Sequence, residues 1–213
     1  PCYSLTLDTD SIEVHAPSIG GTTSGAATVC YGDNSGTVSL SNNVGDVLYW
    51  EYSTDGGTTW TRINSSASTS YTYNNITLTT QYRAVVKNGT CAETTSSAVT
   101  ITIQPLPVAT ITNSKPWTVC SGDDATINFS VTNLVNPSNA TWTLNYTVDG
   151  VSASVNGTGA SGSLTVNNVT VDDTDVEFVS ISVTGGDNPQ CSNFNLTDKI
   201  TINVVENPEA TFT

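Results

Sequence analysis

The stretch Cys91-Ala-Glu-Thr-Thr-Ser-Ser-Ala-Val-Thr-Ile-Thr-Ile103 puts Val99, Ile101 and Ile103 on one face and Thr100 and Thr102 on the other. That period of two marks a half-buried β-strand. The same design, a polar turn after a cysteine and then an alternation, recurs at Cys191-Ser-Asn-Phe-Asn-Leu-Thr-Asp-Lys-Ile-Thr-Ile-Asn-Val204 and at Cys2-Tyr-Ser-Leu-Thr-Leu-Asp-Thr-Asp-Ser-Ile-Glu-Val14. Each alternation runs into a proline: Pro105, Pro208 and Pro17. Two more blocks repeat in the same order. Val29-Cys-Tyr-Gly-Asp33 matches Val119-Cys-Ser-Gly-Asp123, and Tyr71-Thr-Tyr-Asn-Asn-Ile-Thr-Leu78 matches Leu164-Thr-Val-Asn-Asn-Val-Thr-Val171. Equivalent cysteines lie 89 residues apart (Cys2 to Cys91) and 100 apart (Cys91 to Cys191), which is the length of a whole β-sandwich and too long for a solenoid unit.

The repeat divides the 213 residues into a last strand of a preceding domain (1–16), a domain over 17–105, a second over 106–206, and a first strand or linker of a following domain (207–213). Pro105-Leu-Pro107 is the stiff joint. Each domain has one Trp strand. Leu48, Trp50 and Tyr52 alternate with Tyr49 and Glu51, while Trp142, Leu144, Tyr146 and Val148 alternate with Thr141, Thr143, Asn145 and Thr147. Asp55-Gly-Gly57, Asn88-Gly89, Asp149-Gly150 and Asn156-Gly157 supply the positive φ angles of tight hairpins. The expected class is all-β, with tandem immunoglobulin-like antiparallel β-sandwich domains.

Composition narrows the functions. Five Lys and Arg stand against 19 Asp and Glu, for a formal charge of −14. A phosphate backbone is repelled by such a surface, so nucleic acid is not a partner, and the acidity keeps repeat arrays soluble. No run approaches the ~18 apolar residues of a membrane helix, and no leader opens the chain at Pro1. A mature exported segment without membrane insertion is expected. Calcium is the one cofactor with candidate ligands, at Asp172, Asp173 and Asp175 or at Asp8 and Asp10, although neither group has the spacing of a calcium loop. Five cysteines without a C-x-x-C pair, and His15 as the sole histidine, favour disulfides in an oxidising compartment over zinc.

The orders Cys30, Trp50, Cys91 and Cys120, Trp142, Cys191 resemble an immunoglobulin domain, with the cysteines shifted towards one end. Bridges Cys30–Cys91 and Cys120–Cys191 are expected, each closing a loop of about 60 residues worth roughly 4 kcal/mol. Cys2 is left unpaired within the chain. Trp50 and Trp142 are core positions, and Tyr82 in Leu78-Thr-Thr-Gln-Tyr82 resembles a tyrosine corner.

Other motifs bear on activity. Ser53-Thr-Asp-Gly-Gly-Thr-Thr-Trp60 matches the S-x-D-x-G-x-T-W box of sialidases, but it occurs once and only Arg62 and Arg83 could serve an arginine site. It reads as a hairpin turn. Glu13, Glu51 and Glu93 fall on outward or turn positions, and His15 faces solvent, so no acid pair or triad is nominated. Trp117 stands where the first domain has Ala27, and with Trp60 it is the candidate contact for a sugar ring or for a domain joint.

The run Tyr49-Trp-Glu-Tyr-Ser-Thr-Asp-Gly-Gly-Thr-Thr-Trp60, then Tyr82-Arg-Ala-Val-Val86 and Asn88-Gly-Thr-Cys91, resembles the Ig-like repeats of large Bacteroidota surface proteins exported by the type IX secretion system, the SprB-like gliding adhesins. Trp142-Thr-Leu-Asn-Tyr-Thr-Val-Asp-Gly150 is similar to their PKD-like variant, and Asp10-Ser11-Ile12 to the O-glycosylation motif of that phylum, with Ser11 as acceptor. The resemblance implies a non-enzymatic repeat segment of an extracellular, cell-surface adhesin or filament serving attachment and gliding motility. Its partners would be neighbouring repeats and a surface polysaccharide or substratum. The alternative is a carbohydrate-binding accessory module of a secreted enzyme.

Overall fold

The computed structural model describes residues 2–5, 12–64, 67–115 and 117–206, with 2–5, 12 and 13 described by their backbone alone. Asp8, Asp10, Ser11 and residues 207–213 lie outside the described residues. The chain forms two compact units, Pro1–Ile103 and Gln104–Thr213, and their regular structure is β.

Unit 1 contains β1 (Cys2–Leu5), β2 (Ile12–His15), β3 (Thr22–Ser24), β4 (Ala27–Cys30), β5 (Ser35–Ser41), β6 (Asp46–Ser53), β7 (Thr61–Ile63), β8 (Ser70–Asn74), β9 (Thr80–Lys87), β10 (Thr94–Thr95) and β11 (Val99–Gln104). A three-stranded sheet β3-β5-β8 faces a larger one, β4-β11-β9-β6-β7, with β10 paired to β9. Unit 2 contains β12 (Val108–Ile111), β13 (Trp117–Cys120), β14 (Ala125–Thr132), β15 (Thr141–Val148), β16 (Val151–Thr158), β17 (Ser161–Val166), β18 (Thr174–Gly185), β19 (Ser192–Asn193) and β20 (Lys199–Val205). Its sheets are β12-β14-β17 and β13-β20-β18-β15-β16, with β19 paired to β18. Strand for strand the two units share one topology, an immunoglobulin-like sandwich. At the edge of the large sheet of unit 2, β13 runs parallel to β20.

Each core closes around a tryptophan. Trp50 is fully buried among Val38, Leu40 and Tyr73 of the small sheet and Tyr82, Ala84, Val86, Val99 and Ile101 of the large one. Trp142 is 1% exposed and packs with Ile127, Phe129, Leu144, Leu164, Phe178 and Ile202. The rings of Phe129 and Trp142 meet edge to face at 5.4 Å. Glycine makes room for the indole, since a Cβ on Gly157 would come within 2.3 Å of the Trp142 ring and one on Gly162 within 2.5 Å. Tyr82 is buried beside Tyr71 and Tyr73, with centroids at 5.3 and 6.0 Å.

The structure departs from the sequence reading in three places. Residues 1–16 do not form one strand, because β1 and β2 pair with each other, Cys2 opposite His15 and Leu5 opposite Ile12. In β6 a register shift between Val47 and Tyr49 buries Val47 and turns Leu48 away, so Leu48 does not share the inner face of Trp50. The third departure concerns the cysteines.

Cys30, Cys91 and Cys191 are each disulfide-bonded, and Cys120 is a free thiol. The expected Cys120–Cys191 bridge is therefore not formed, and the positions of Cys30 and Cys91 in unit 1 do not suit the expected Cys30–Cys91 bridge. The reason is sheet geometry. Cys120 ends β13 opposite Val205, the last residue of β20, whereas the Cys191 carbonyl accepts a bond from Val183 N at 3.0 Å, near the far end of β18. That strand has 12 residues, about 40 Å at ~3.3 Å per residue, whereas a disulfide needs its Cα atoms within about 7 Å. In unit 1, Cys30 and Cys91 likewise sit at opposite ends of a sandwich spanned by the eight residues of β9. The side chain of Cys2 lies outside the described residues.

Removing the central indole tests this packing: Trp142→Ala is expected to destabilise unit 2 by about 3–5 kcal/mol. Urea unfolding should show one transition moving to lower denaturant while that of unit 1 stays; an unmoved curve would contradict the assignment of Trp142 as the centre of that core.

Candidate functional site

The hairpin from β6 to β7 carries the sequence box, and its bonds explain why those residue types stand at that spacing. Gly57 N donates to Ser53 Oγ at 2.9 Å, and Ser53 Oγ donates to Asp55 Oδ1 at 2.7 Å. Asp55 then accepts from Thr59 N at 2.9 Å and from the Thr59 hydroxyl. Trp60 Nε1 donates to Gly57 O at 2.9 Å, and Gly56 and Gly57 take positive φ. Ser53, Asp55, Gly57, Thr59 and Trp60, the defined positions of the box, are all used to close the turn, which is the structural reading the sequence supports. The bonds from the Thr59 hydroxyl and amide, then from the Ser53 hydroxyl, hold the Asp55 carboxyl at about 2, below its ordinary 3.8.

Beside the hairpin, the outer face of the large sheet gathers both arginines of the chain. Glu51 stands opposite Arg62 on β7 and Arg83 on β9. Arg83 Nε bonds Glu51 Oε2 at 2.7 Å, and its guanidinium lies 4.0 Å from the Trp60 ring. Arg62 lies 4.0 Å from the Tyr49 ring. These cation–π pairs are worth roughly 0.5–1 kcal/mol each at such exposure. One face of Trp60 is thus already taken by an intrachain partner.

At the end of unit 1 where β11 finishes, the two repeated sequence blocks bind each other. Asn34 Nδ2 donates to Cys30 O at 2.7 Å and to Ile76 O at 2.8 Å, and Asn34 Oδ1 accepts from Ile76 N at 3.1 Å. In unit 2 the equivalent clasp runs from Gly122 N to Val169 O and from Val169 N to Asp123 O, both 2.9 Å. Asn75 and Asn168, the second asparagines of the Asn-Asn pairs, both take positive φ. Next to the clasp of unit 1, Tyr52, Arg62, Ile63, Tyr71, Ile76 and Leu78 line an open groove of about 470 Å³. Leu78 is 60% exposed there. Burial, then the neighbouring Tyr52, pushes the Tyr71 phenol up, so it stays a neutral hydrogen-bonding group.

The remaining sequence candidates fall elsewhere. Trp117 lies on β13 and packs half-buried against the core of its own unit. Asp172 Oδ1 accepts from Val204 N at 2.8 Å, and Asp175 bonds Thr201 Oγ1 at 2.6 Å and Lys199 Nζ at 3.3 Å. These aspartates pin the turn before β18 to β20. Among the described residues no three His, Cys, Asp or Glu side chains form a group able to hold a metal ion. Sequence reasoning missed the Arg62–Glu51–Arg83 row and the tyrosine-lined groove. Both depend on cross-strand register, and the alternation that turned Glu51 outward was the only signal for them.

Comparison with known proteins gives one family model, which matches the first unit. Residues 19–105 match the Domain of unknown function (DUF8696), and no curated protein matches the chain. Among solved structures, the chain is similar to a marsupial T cell receptor at 11% identity, TM-score 0.45, covering 90% of this chain and 75% of that one. It is also similar to the fibronectin(III)-like modules of Clostridium thermocellum CbhA at 11% identity, TM-score 0.35, covering 88% and 95%. For the chicken CNTN1 FN1-FN3 domains the values are 15%, 0.29, and 92% and 76%.

The lowered Asp55 carboxyl fixes a pH dependence. Its contribution to the hairpin is present above about 4 and is lost as pH falls through about 2. A carboxyl NMR titration should place Asp55 near 2, with amide exchange at Gly57 and Thr59 quickening over the same range. A midpoint near 4 would show that the turn does not hold the carboxylate.

Proposed function

We propose that the chain is a structural repeat segment of a secreted cell-surface adhesin or filament, non-catalytic itself, which extends reach and serves attachment. The observation that carries this reading is the tandem of two sandwiches with one topology, in which the chain enters at one end of the sandwich and leaves at the other. Unit 2 shows this directly: Asn193 Nδ2 bonds Pro107 O at 3.1 Å at the entry, while Ser121 N bonds Val205 O at 2.8 Å at the exit. A fold of that kind can be added end to end without limit. The disulfides support an oxidising, extracellular location, the acidic surface supports solubility of a long array, and the resemblance to gliding adhesins supplies the motility reading. The ion pair of Glu51 with Arg83 and the use of Asp55 inside its turn leave those carboxylates occupied with structural work.

A second reading, a carbohydrate-binding accessory module, is favoured by the open groove of Tyr52, Tyr71 and Leu78 with Arg62 at its side. Aromatic and cationic groups along an open trough suit a sugar chain.

A glycan array on the 213-residue chain separates the two. The repeat reading expects no micromolar binding and no change on Tyr52→Ala or Trp60→Ala. Tight binding lost at least tenfold in Tyr52→Ala would establish the carbohydrate module instead. For location, surface biotinylation of intact cells should label the natural protein, and labelling only after lysis would sink the surface assignment.

A further inference from the structure

The large sheet of unit 2 ends on β16, an edge built unlike its neighbours. β16 runs for eight residues, whereas β13, at the other edge of that sheet, has four. In unit 1 the strand after the Trp strand is β7, three residues long with Arg62 in the middle. The ladder of β16 with β15 is unbroken, from Thr158 opposite Thr141 to Val151 opposite Val148. The hairpin turns through Asp149 and Gly150, both at positive φ, which closes the ladder on a hydrogen-bonded pair. Just past the other end, Gly159 N donates to Ala140 O at 2.9 Å. Odd-numbered residues of β16 therefore turn their N–H and C=O groups towards β15, and Ser152, Ser154, Asn156 and Thr158 turn theirs to the free edge. Among the described residues no strand pairs on that side.

Sheet edges are closed to strand addition by shortness, a bulge, proline or charge. β16 has none of these. No charged residue and no proline occurs from Val151 to Val171, a run that includes β17, an edge strand of the small sheet. The neighbouring β15 is uncharged as well. Ser152, Ser154 and Asn156 are exposed, so the outer face along this edge is one of small neutral side chains.

We propose that β16 is an interaction surface for a second copy of this chain, which adds its own β16 antiparallel across a twofold axis and joins the two large sheets into one. Charge selects this occupant. At a formal −14, two copies repel wherever acidic surfaces meet, and this edge lets them approach without bringing carboxylates together. The acid nearest in sequence is Asp149 in the turn. Antiparallel pairing sends its two copies to opposite ends of the ladder, roughly 30 Å apart at ~3.3 Å per residue, beyond the ~10 Å over which exposed charges act in ordinary salt. A basic peptide, by contrast, finds no carboxylate along the strand to hold it. Side-chain faces match only when even-numbered residues oppose even-numbered ones, which sets the axis at Ser154 or Val155. The contact is small, so the pair is weak and exchanging. Repeated along a longer chain such contacts add by avidity, a consequence that rests on the array reading, whereas the pairing itself does not.

The test is sedimentation equilibrium of the 213-residue chain with free thiols alkylated, from about 10 μM to about 1 mM. Expected is a monomer–dimer equilibrium that added salt does not weaken, because salt screens the repulsion and the contact holds no ion pair. Ser154→Lys lowers the net negative charge yet sets two ammonium groups beside the axis, and it should weaken association by about tenfold or more with the urea midpoint unchanged. Amide exchange on the unaltered chain reads the site without a variant. Ser152, Ser154, Asn156 and Thr158 should gain protection as concentration rises, while Ala153, Val155 and Gly157 are protected throughout. A monomer at every concentration, association that salt weakens, protection gained on other strands instead, or a folded Ser154→Lys chain that pairs as well as the original overturns the proposal.

Discussion

The fold depends on a tryptophan held between two sheets by packing and by one hydrogen bond. Trp50 Nε1 donates to Ser68 O at 2.8 Å, and Trp142 Nε1 to Gly159 O at 2.8 Å. In each unit the donor stands on the large sheet, and the acceptor lies in the connection leading into the last strand of the small sheet. A buried indole N–H without a partner costs about 1–3 kcal/mol, so the ring can sit deep only if that connection comes to meet it. The bond therefore does more than satisfy a donor. It fixes the separation of the sheets and the path of the chain between them, and the glycines at 157 and 162 follow as the positions where a side chain would strike the ring.

Much of this was legible in the residues. The alternations ending at Pro105 and Pro208, the two Trp strands and the repeated Asn-Asn block gave the class and the presence of two sandwiches, because strand periodicity and turn chemistry are local properties. What failed was end-to-end geometry. Cys30 and Cys120 looked like residues preceding a strand near the last hairpin, since the short edge strands β4 and β13 carry little period-two signal over four residues each. Those strands take each cysteine to the far end of the sandwich, which separates it from Cys91 or Cys191 by the length of the sheet. The Val47–Tyr49 irregularity is a failure of the same kind, because an extra residue in one strand reverses the faces after it and leaves no mark in composition.

Electrostatics in the two units follow from the same scarcity of cations. With 19 acids against five bases, most carboxylates cannot find an ion pair, and several are held by backbone or hydroxyl donors instead. Asp172 takes the Val204 amide, Asp55 its own hairpin, and Asp187 the amides of Val135 and Asn136 at 2.9 and 2.7 Å. The acids that remain on the surface repel one another, while the structural ones are bound to uncharged partners and so are little weakened by salt.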